Sequence, residues 1–260
     1  MELFRVNTLA ILAIVLLTVE GVHGVRIRLY NACPFTVWPG WISNSGKPQL
    51  GGGGARLESW QSYDLYPGSG WAGRFWGRRG CNFDGSGRGH CDSGDCGDKL
   101  NCGNSGGVTP ATLAEFQLNG FAGLDYYDVS LVDGYNLPLR INPEYNCASA
   151  GCHSDVNARC PKELQVRKDN WVIGCKSACE VFHSEEFCCT GSHNRPETCS
   201  PTYFSRIFKD ACPQAYSYAY DDATSTFTCG SGGGYTITFC PSGGLSIAED
   251  ESSQSRVEAL

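Results

Sequence analysis

Short stretches in which apolar and polar residues alternate recur along the chain, and this pattern predicts half-buried β-strands. The clearest is residues 25–30 (VRIRLY), where every second residue is apolar, and residues 124–132 (LDYYDVSLV) are rich in strand-favouring residues. Residues 226–229 and 235–240 flank the glycine-rich residues 230–234, a pattern typical of a hairpin. Many short strands separated by Gly and Pro turns predict an all-β fold, a sandwich or a barrel.

Two segments depart from the strand pattern. Residues 81–107 are dense in Gly, Asp, Asn and Cys and have almost no aliphatic side chains, so we expect a loop region held by disulfides. Ser200 and Pro201 form an N-cap and first-turn pair, and apolar residues at helical spacing predict a helix over residues 201–212. A second, shorter helix is predicted over residues 179–188.

The N-terminus of the chain predicts export, and the C-terminus bears on the destination. The apolar run of residues 9–19 (LAILAIVLLTV) follows Arg5 and precedes small residues up to Gly24, so residues 1–24 are interpreted as a secretory signal peptide. A signal anchor is the alternative, although the run is short for a membrane span. Residues 241–260 form an acidic tail that we expect to be disordered. If the tail is a targeting propeptide, the vacuole replaces the extracellular (apoplast-like) space as destination.

Export explains the high cysteine count, because sixteen cysteines are typical of a protein that forms disulfides in an oxidising compartment. No paired CxxC motifs occur and the histidines lack zinc-finger spacing, so we expect no metal and no other cofactor. The even count indicates a disulfide framework, but spacing alone leaves the pairing open. Cys188 and Cys189 are adjacent and are not expected to pair with each other.

Charge and composition exclude several classes of protein. The chain is 41% hydrophobic, which is enough for a core, and its formal net charge is -7. A negative protein is not drawn to nucleic acid or to anionic lipid. We therefore expect no nucleic-acid partner and no stable membrane insertion.

Residues 87–96 (GRGHCDSGDC) closely resemble the signature of the thaumatin-like proteins, the fifth pathogenesis-related class of plants. The chain departs from that signature at Ser93, where Thr is usual, and at Asp98, where Gly is common. The resemblance extends over about residues 25–240 and includes all sixteen cysteines. Further blocks that look like family blocks, in family order, are residues 33–38, 76–78, 110–116, 129–136, 188–189, 203–209 and 215–229.

The resemblance implies a central β-sandwich with two small disulfide-rich lobes, one of which carries short helices. The sandwich would comprise about residues 25–78, 117–151 and 213–240, with a loop lobe of about residues 79–116 and a helical lobe of about residues 152–212. It also implies eight disulfides, and the chain would be a monomer. By the family pattern these pairs are Cys33–Cys240, Cys81–Cys91, Cys96–Cys102, Cys147–Cys229, Cys152–Cys212, Cys160–Cys175, Cys179–Cys188 and Cys189–Cys199.

The family lines a cleft between the sandwich and the helical lobe with one Arg, one Glu and three Asp. The matching residues of this chain are Arg74, Glu115, Asp128, Asp133 and Asp221. A glycosidase needs one protonated and one ionised carboxyl group around the glycosidic oxygen. Glu115 is the candidate general acid, and Asp133, or else Asp128, is the candidate nucleophile or base. The same groups also suit a non-catalytic carbohydrate site, and Asp133 followed by Gly134 is typical of an ordinary turn.

The resemblance therefore implies a secreted antifungal or defence protein that binds β-1,3-glucan or a related cell-wall polysaccharide in its acidic cleft. Members of the family differ on hydrolysis, so weak endo-β-1,3-glucanase activity stays open. The alternative is a non-catalytic defence protein that permeabilises membranes or inhibits a foreign hydrolase.

Overall fold

The computed structural model describes residues 24–241, so the expected signal peptide and tail lie outside the described residues except for Gly24 and Pro241. Two five-stranded sheets dominate this part of the chain. The first, here the outer sheet, has the spatial order β10 (Ala150–Cys152), β9 (Leu139–Pro143), β14 (Tyr235–Phe239), β1 (Ile27–Asn31) and β3 (Ser62–Leu65). The second, the cleft sheet, has the order β13 (Phe227–Gly230), β8 (Leu124–Ser130), β7 (Leu113–Gln117), β4 (Ala72–Arg78) and β2 (Trp38–Ser43).

The two sheets pack face to face through aromatic side chains, which confirms the β-sandwich. Phe116 of β7 and Tyr127 of β8 lie 5.2 and 5.3 Å, centroid to centroid, from Tyr235 of β14. In β1, Ile27 and Leu29 are fully buried while Arg28 and Tyr30 are half-buried, as the alternation predicts. Aromatic contacts of this kind contribute beyond the apolar area that they bury.

The predicted hairpin near the C-terminus is wrong. Strands β13 and β14 belong to different sheets, and residues 231–234 pass between them from the cleft sheet to the outer sheet. Strand β14 instead pairs in parallel with β1 and antiparallel with β9. Alternation shows which residues of a strand face the core, but it does not show which strand lies alongside.

The helical predictions hold in outline and differ in detail. The helix α3 spans Tyr203–Ala211, and its N-cap is Thr202 rather than Ser200. The Thr202 hydroxyl accepts a bond from the Ser205 amide, and the Ser205 hydroxyl accepts one from the Thr202 amide. The single helix expected over residues 179–188 is two helices, α1 (Ala178–Phe182) and α2 (Glu185–Cys188), separated by the left-handed His183. A further turn, α4 (Asp222–Ser225), is a feature that the apolar pattern does not predict.

Two small hairpins and eight disulfides complete the described structure. The hairpins are β5 (Asn82–Phe83) with β6 (Gly89–His90), and β11 (Gln165–Lys168) with β12 (Trp171–Cys175). Residues 113–116, expected in the loop lobe, form part of β7, the middle strand of the cleft sheet, because alternating apolar residues turn inward there. All sixteen cysteines are paired as the resemblance implies.

Candidate functional site

Three charged side chains form a row across the outward face of the cleft sheet. Arg74 on β4 lies opposite Glu115 on β7, and Glu115 lies opposite Asp128 on β8. Directly opposed residues on adjacent antiparallel strands have Cβ atoms about 4.5–5.5 Å apart. The three residues are half-buried, whereas their strand neighbours Phe75 and Ala114 are fully buried against the core. Because successive side chains of a strand point to opposite faces of the sheet, the three residues of the row share the outward face.

A second wall of the site comes from the chain segment that precedes α4. Tyr216 lies beside the end of β8, where its amide donates to the Val129 carbonyl at 2.9 Å and its carbonyl accepts from the Leu131 amide at 2.8 Å. The Tyr216 hydroxyl donates to Asp222 at 2.7 Å. The row and this segment enclose an open depression, here the acidic cleft, with a volume of about 360 Å³. Its lining residues are Arg74, Leu113, Glu115, Asp128, Ser130, Val132, Asp133, Tyr216, Ala219 and Asp222.

Burial and neighbouring charge perturb the two carboxyl groups of the row. Burial, followed by the charges of Glu115 and Asp222, raises the pKa of Asp128 to about 8. Asp128 Oδ1 is buried and has no hydrogen-bond partner among the described residues. Burial also raises the pKa of Glu115, where Arg74 acts in the opposite direction and Asp133 adds to the rise. The row therefore places two carboxyl groups with raised pKa values side by side, and the charge of Arg74 opposes the rise at Glu115.

Asp133 lies in the cleft and also in a turn. Its interpretation as a site residue is therefore compatible with its interpretation as part of an ordinary Asp-Gly turn. Its carbonyl accepts from the Ala111 amide at 3.0 Å, and the Gly134 amide donates to the Leu131 carbonyl at 2.9 Å. Gly134 has a φ of 85°, and a Cβ there would come within 2.6 Å of Pro110 Cβ, so the turn needs glycine. The turn fixes the backbone while the Asp133 side chain lines the cleft.

Asp221 does not line the acidic cleft, contrary to the expectation from the resemblance. Its carboxylate lies 2.9 Å from Lys209 Nζ and accepts bonds from the Ser217 amide and hydroxyl at 3.0 and 2.9 Å. Asp222, which the family resemblance does not single out, lines the cleft instead. The sequence signal was the Asp221-Asp222 pair itself, but the contacts of Asp221 with Lys209 and Ser217, which hold its carboxylate away from the cleft, are not visible in the sequence.

One group of side chains in the described part of the chain has the spacing of metal ligands. His90 Nδ1 lies 2.8 Å from Asp98 and 3.8 Å from Asp95. Asp95 accepts bonds from the amides of Cys91, Gly97 and Asp98, so its carboxylate organises this loop. None of these residues lines the acidic cleft.

Comparisons with known proteins agree on one family. A profile of the Thaumatin family matches residues 31–241. The pathogenesis-related thaumatin-like protein 3.5 of Cryptomeria japonica is 57% identical over 82% of this chain and 89% of that protein. A Prunus avium protein named glucan endo-1,3-beta-glucosidase is 47% identical over 88% of this chain and 96% of that protein.

The fold also occurs in solved structures of low sequence identity. A laminaripentaose-producing β-1,3-glucanase, solved with laminaritetraose, aligns with a TM-score of 0.58 at 11% identity, over 83% of this chain and 98% of that one. Within residues 24–241, no helix has the length and apolar character that a bilayer crossing requires.

Proposed function

Because this chain belongs to the thaumatin family, we propose that it is a secreted defence protein that binds linear β-1,3-glucan in its acidic cleft. The observation that carries the proposal is the cross-strand row of Arg74, Glu115 and Asp128 in an open cleft. The row combines a donor with acceptors on three adjacent strands, where the backbone ladder fixes their spacing. Such fixed donors and acceptors suit a hydroxyl-rich ligand.

The charge of the cleft favours an uncharged polymer over an anionic one. Glu115, Asp128, Asp133 and Asp222 face one cationic side chain, Arg74, among the cleft-lining residues. An anionic polysaccharide would meet these carboxyl groups at short range, whereas neutral glucan hydroxyls can donate to them. The net charge of -7 also repels an anionic polysaccharide as it approaches from solution, whereas it does not repel a neutral glucan.

The comparisons support the same class of ligand. The Prunus avium relative bears the name of a β-1,3-glucan hydrolase. Its identity of 47% over most of both chains supports extending the ligand class, though not the hydrolytic step, to this chain.

If the chain also hydrolyses glucan, we assign the proton-donor role to Asp128 rather than to Glu115. The raised pKa of Asp128, about 8, keeps that carboxyl protonated at neutral pH. Burial raises the pKa of Glu115 as well, but the charge of Arg74 on the adjacent strand opposes that rise, whereas no cation opposes it at Asp128. Glu115, or else Asp133, would therefore act as nucleophile or base.

The test uses insoluble linear β-1,3-glucan and the secreted protein at physiological salt. We expect Glu115→Gln combined with Asp133→Asn to weaken glucan binding about tenfold or more, since several hydrogen-bond acceptors are lost. The matched control is Glu163→Gln combined with Asp169→Asn, which makes the same chemical changes at exposed positions outside the cleft. The bound fraction is measured by co-sedimentation, and turnover is measured as new reducing ends.

Equal binding by the cleft variant and its control would remove the acidic cleft from the proposed function. Binding without new reducing ends would assign the chain a non-catalytic role. Secretion, antifungal action and the monomeric state remain predictions of the same proposal.

A further inference from the structure

A second depression adjoins the acidic cleft on the side of the helices. Val132, Asp133 and Ala219 line both spaces, so the two are adjacent. The second space, here the helical-side compartment, has a volume of about 180 Å³, half that of the acidic cleft. Most of its other lining residues come from α1, α2, α3 and the chain just before α3, and Thr109, Leu131, Ser217 and Tyr218 complete the wall. A ligand in the acidic cleft that extends toward the helices therefore meets this compartment next.

The helical-side compartment differs from the acidic cleft because aromatic rings form part of its wall. Phe187 and Phe204 both line it, and their ring centroids are 5.7 Å apart at 77°. Phe182 lies behind them, at 5.4 Å from Phe187 and 5.3 Å from Phe204. Phe187 and Phe204 are half-buried, so part of each ring stays open to a ligand. Aromatic surface in a cleft suits the apolar face of a pyranose ring.

The same compartment contains an acceptor that lacks a donor. Glu180 lines it, and Glu180 Oε1 pairs with Lys176 at 3.0 Å. Glu180 Oε2 is buried and has no hydrogen-bond partner among the described residues. An unsatisfied buried acceptor costs free energy, which a ligand hydroxyl would recover by donating to it.

The combination selects one kind of occupant. The carboxylates of Glu180, Glu186 and Asp133 disfavour an anionic group, and the phenylalanines disfavour a small hydrated cation. A ring with one apolar face and hydroxyl groups at its edge satisfies both kinds of wall. Because the compartment lies next to the acidic cleft, the adjoining unit of the same glucan chain is the occupant that we consider.

Resting on the proposed function, we infer that the helical-side compartment binds the pyranose unit next to those in the acidic cleft. One face of that ring packs on the face of one phenylalanine, Phe187 or Phe204, and meets the edge of the other, because the two rings are nearly perpendicular. One of its hydroxyl groups donates to Glu180. The site therefore selects for chain length, since a short oligosaccharide fills the acidic cleft alone and a longer one reaches both spaces.

The test compares linear β-1,3-linked oligosaccharides of three and six glucose units by isothermal titration calorimetry on the full secreted chain. Phe187→Leu keeps an apolar side chain but removes the flat ring. Ser200→Trp fills the compartment from its exposed rim and leaves the packed aromatic residues intact. Tyr145→Leu is the matched control, because Tyr145 is 63% exposed and lines neither space.

We expect both variants to bind the six-unit ligand about tenfold more weakly and the three-unit ligand unchanged, while the control binds both as the unaltered chain does. An unchanged preference for the six-unit ligand in Ser200→Trp would overturn the inference, as would an equal loss for both ligands. Failure of the unaltered chain to bind either ligand would instead refute the proposed function, and the inference with it.

Discussion

Asp128 combines a buried carboxyl oxygen that lacks a donor in the described structure with two acidic neighbours, Glu115 and Asp222. Burial and these neighbours make its ionised form costly, so the folded protein holds the proton up to a pKa of about 8. An unfolded chain would release that proton near pH 3.8, the ordinary pKa of an aspartate. Between these two values, unfolding releases a proton, and the stability contributed by this group falls as the pH rises.

Asp128→Asn is therefore expected to stabilise the protein, relative to the unaltered chain, increasingly as the pH rises from 4 to 8. An amide stays neutral throughout this range, and the gain should be on the order of 1–3 kcal/mol at pH 8. The free energy of unfolding is measured by guanidinium titration at several pH values with the disulfides intact. Asp169→Asn is the control at an exposed position. A difference between Asp128→Asn and the unaltered chain that does not change with pH would show that Asp128 is ionised in the folded state.

At the scale of single residues, the sequence predicted which types of side chain form the site better than it predicted which of two adjacent aspartates faces the cleft. Arg74, Glu115, Asp128 and Asp133 meet in one cleft as the resemblance implied, because strand register and one glycine turn fix them. Asp221 and its successor Asp222 are chemically identical, so the sequence does not distinguish between them. A hydrogen-bond network that includes the distant Lys209 determines which one faces the cleft.

At the scale of elements, α3 controls one wall of the cleft without lining the cleft itself. Lys209, near the end of α3, donates to the Ala215 carbonyl at 3.1 Å and to the Ser225 hydroxyl at 2.9 Å, and it pairs with Asp221 at 2.9 Å. These partners lie on both sides of Tyr216 and Asp222 along the chain. One ammonium group thus holds the segment that supplies the second wall.

Lys209→Met is expected to lower the free energy of unfolding by about 2 kcal/mol and to weaken glucan binding severalfold. The methionine keeps most of the packing of the lysine stem, but it leaves Asp221 without its cation and frees the segment of Tyr216. Guanidinium unfolding and glucan co-sedimentation measure the two effects, with the exposed Lys162→Met as control. A loss of stability with full glucan binding would contradict the positioning of this wall by Lys209.

The strands themselves were predictable wherever the alternation was regular, as in β1 and β8, because the pattern reports burial on one face. Their partners were less predictable. Strand β14 pairs with β1 from the opposite end of the chain, and pairing at that separation leaves no local signal. The start of α3 shifted by two residues for a related reason, since Thr202 and Ser205 form a reciprocal cap that outcompetes the Ser200-Pro201 signal.

At the scale of the whole molecule, one disulfide joins the two ends of the described domain. Cys33 and Cys240 are separated by 207 residues and are both fully buried, beside the parallel pair of β1 and β14. A bond that closes so long a loop restricts the unfolded chain strongly. The eight bonds were implied by family resemblance alone, since spacing leaves too many pairings open.

Replacing both residues, Cys33→Ala with Cys240→Ala, is expected to lower the free energy of unfolding by about 5 kcal/mol in the chain-entropy account. Glucan binding should remain under native conditions, because neither residue lines the cleft. Guanidinium unfolding and co-sedimentation measure the two quantities. The comparison is Cys96→Ala with Cys102→Ala, which opens a loop with a separation of only 6 residues. This pair should lower the free energy of unfolding by less. Equal losses for the two pairs would argue against the entropic origin.

The bond between Cys33 and Cys240 makes most of the polypeptide a covalent ring. Between residues 103 and 146 no other disulfide spans the chain, so this bond alone would join the two pieces if a protease nicked the exposed turn at Phe121. The pieces would migrate as one species on a gel until reductant separated them. Proteolysis at this turn alone would therefore leave the two pieces covalently joined, and their separation would also require a reductant.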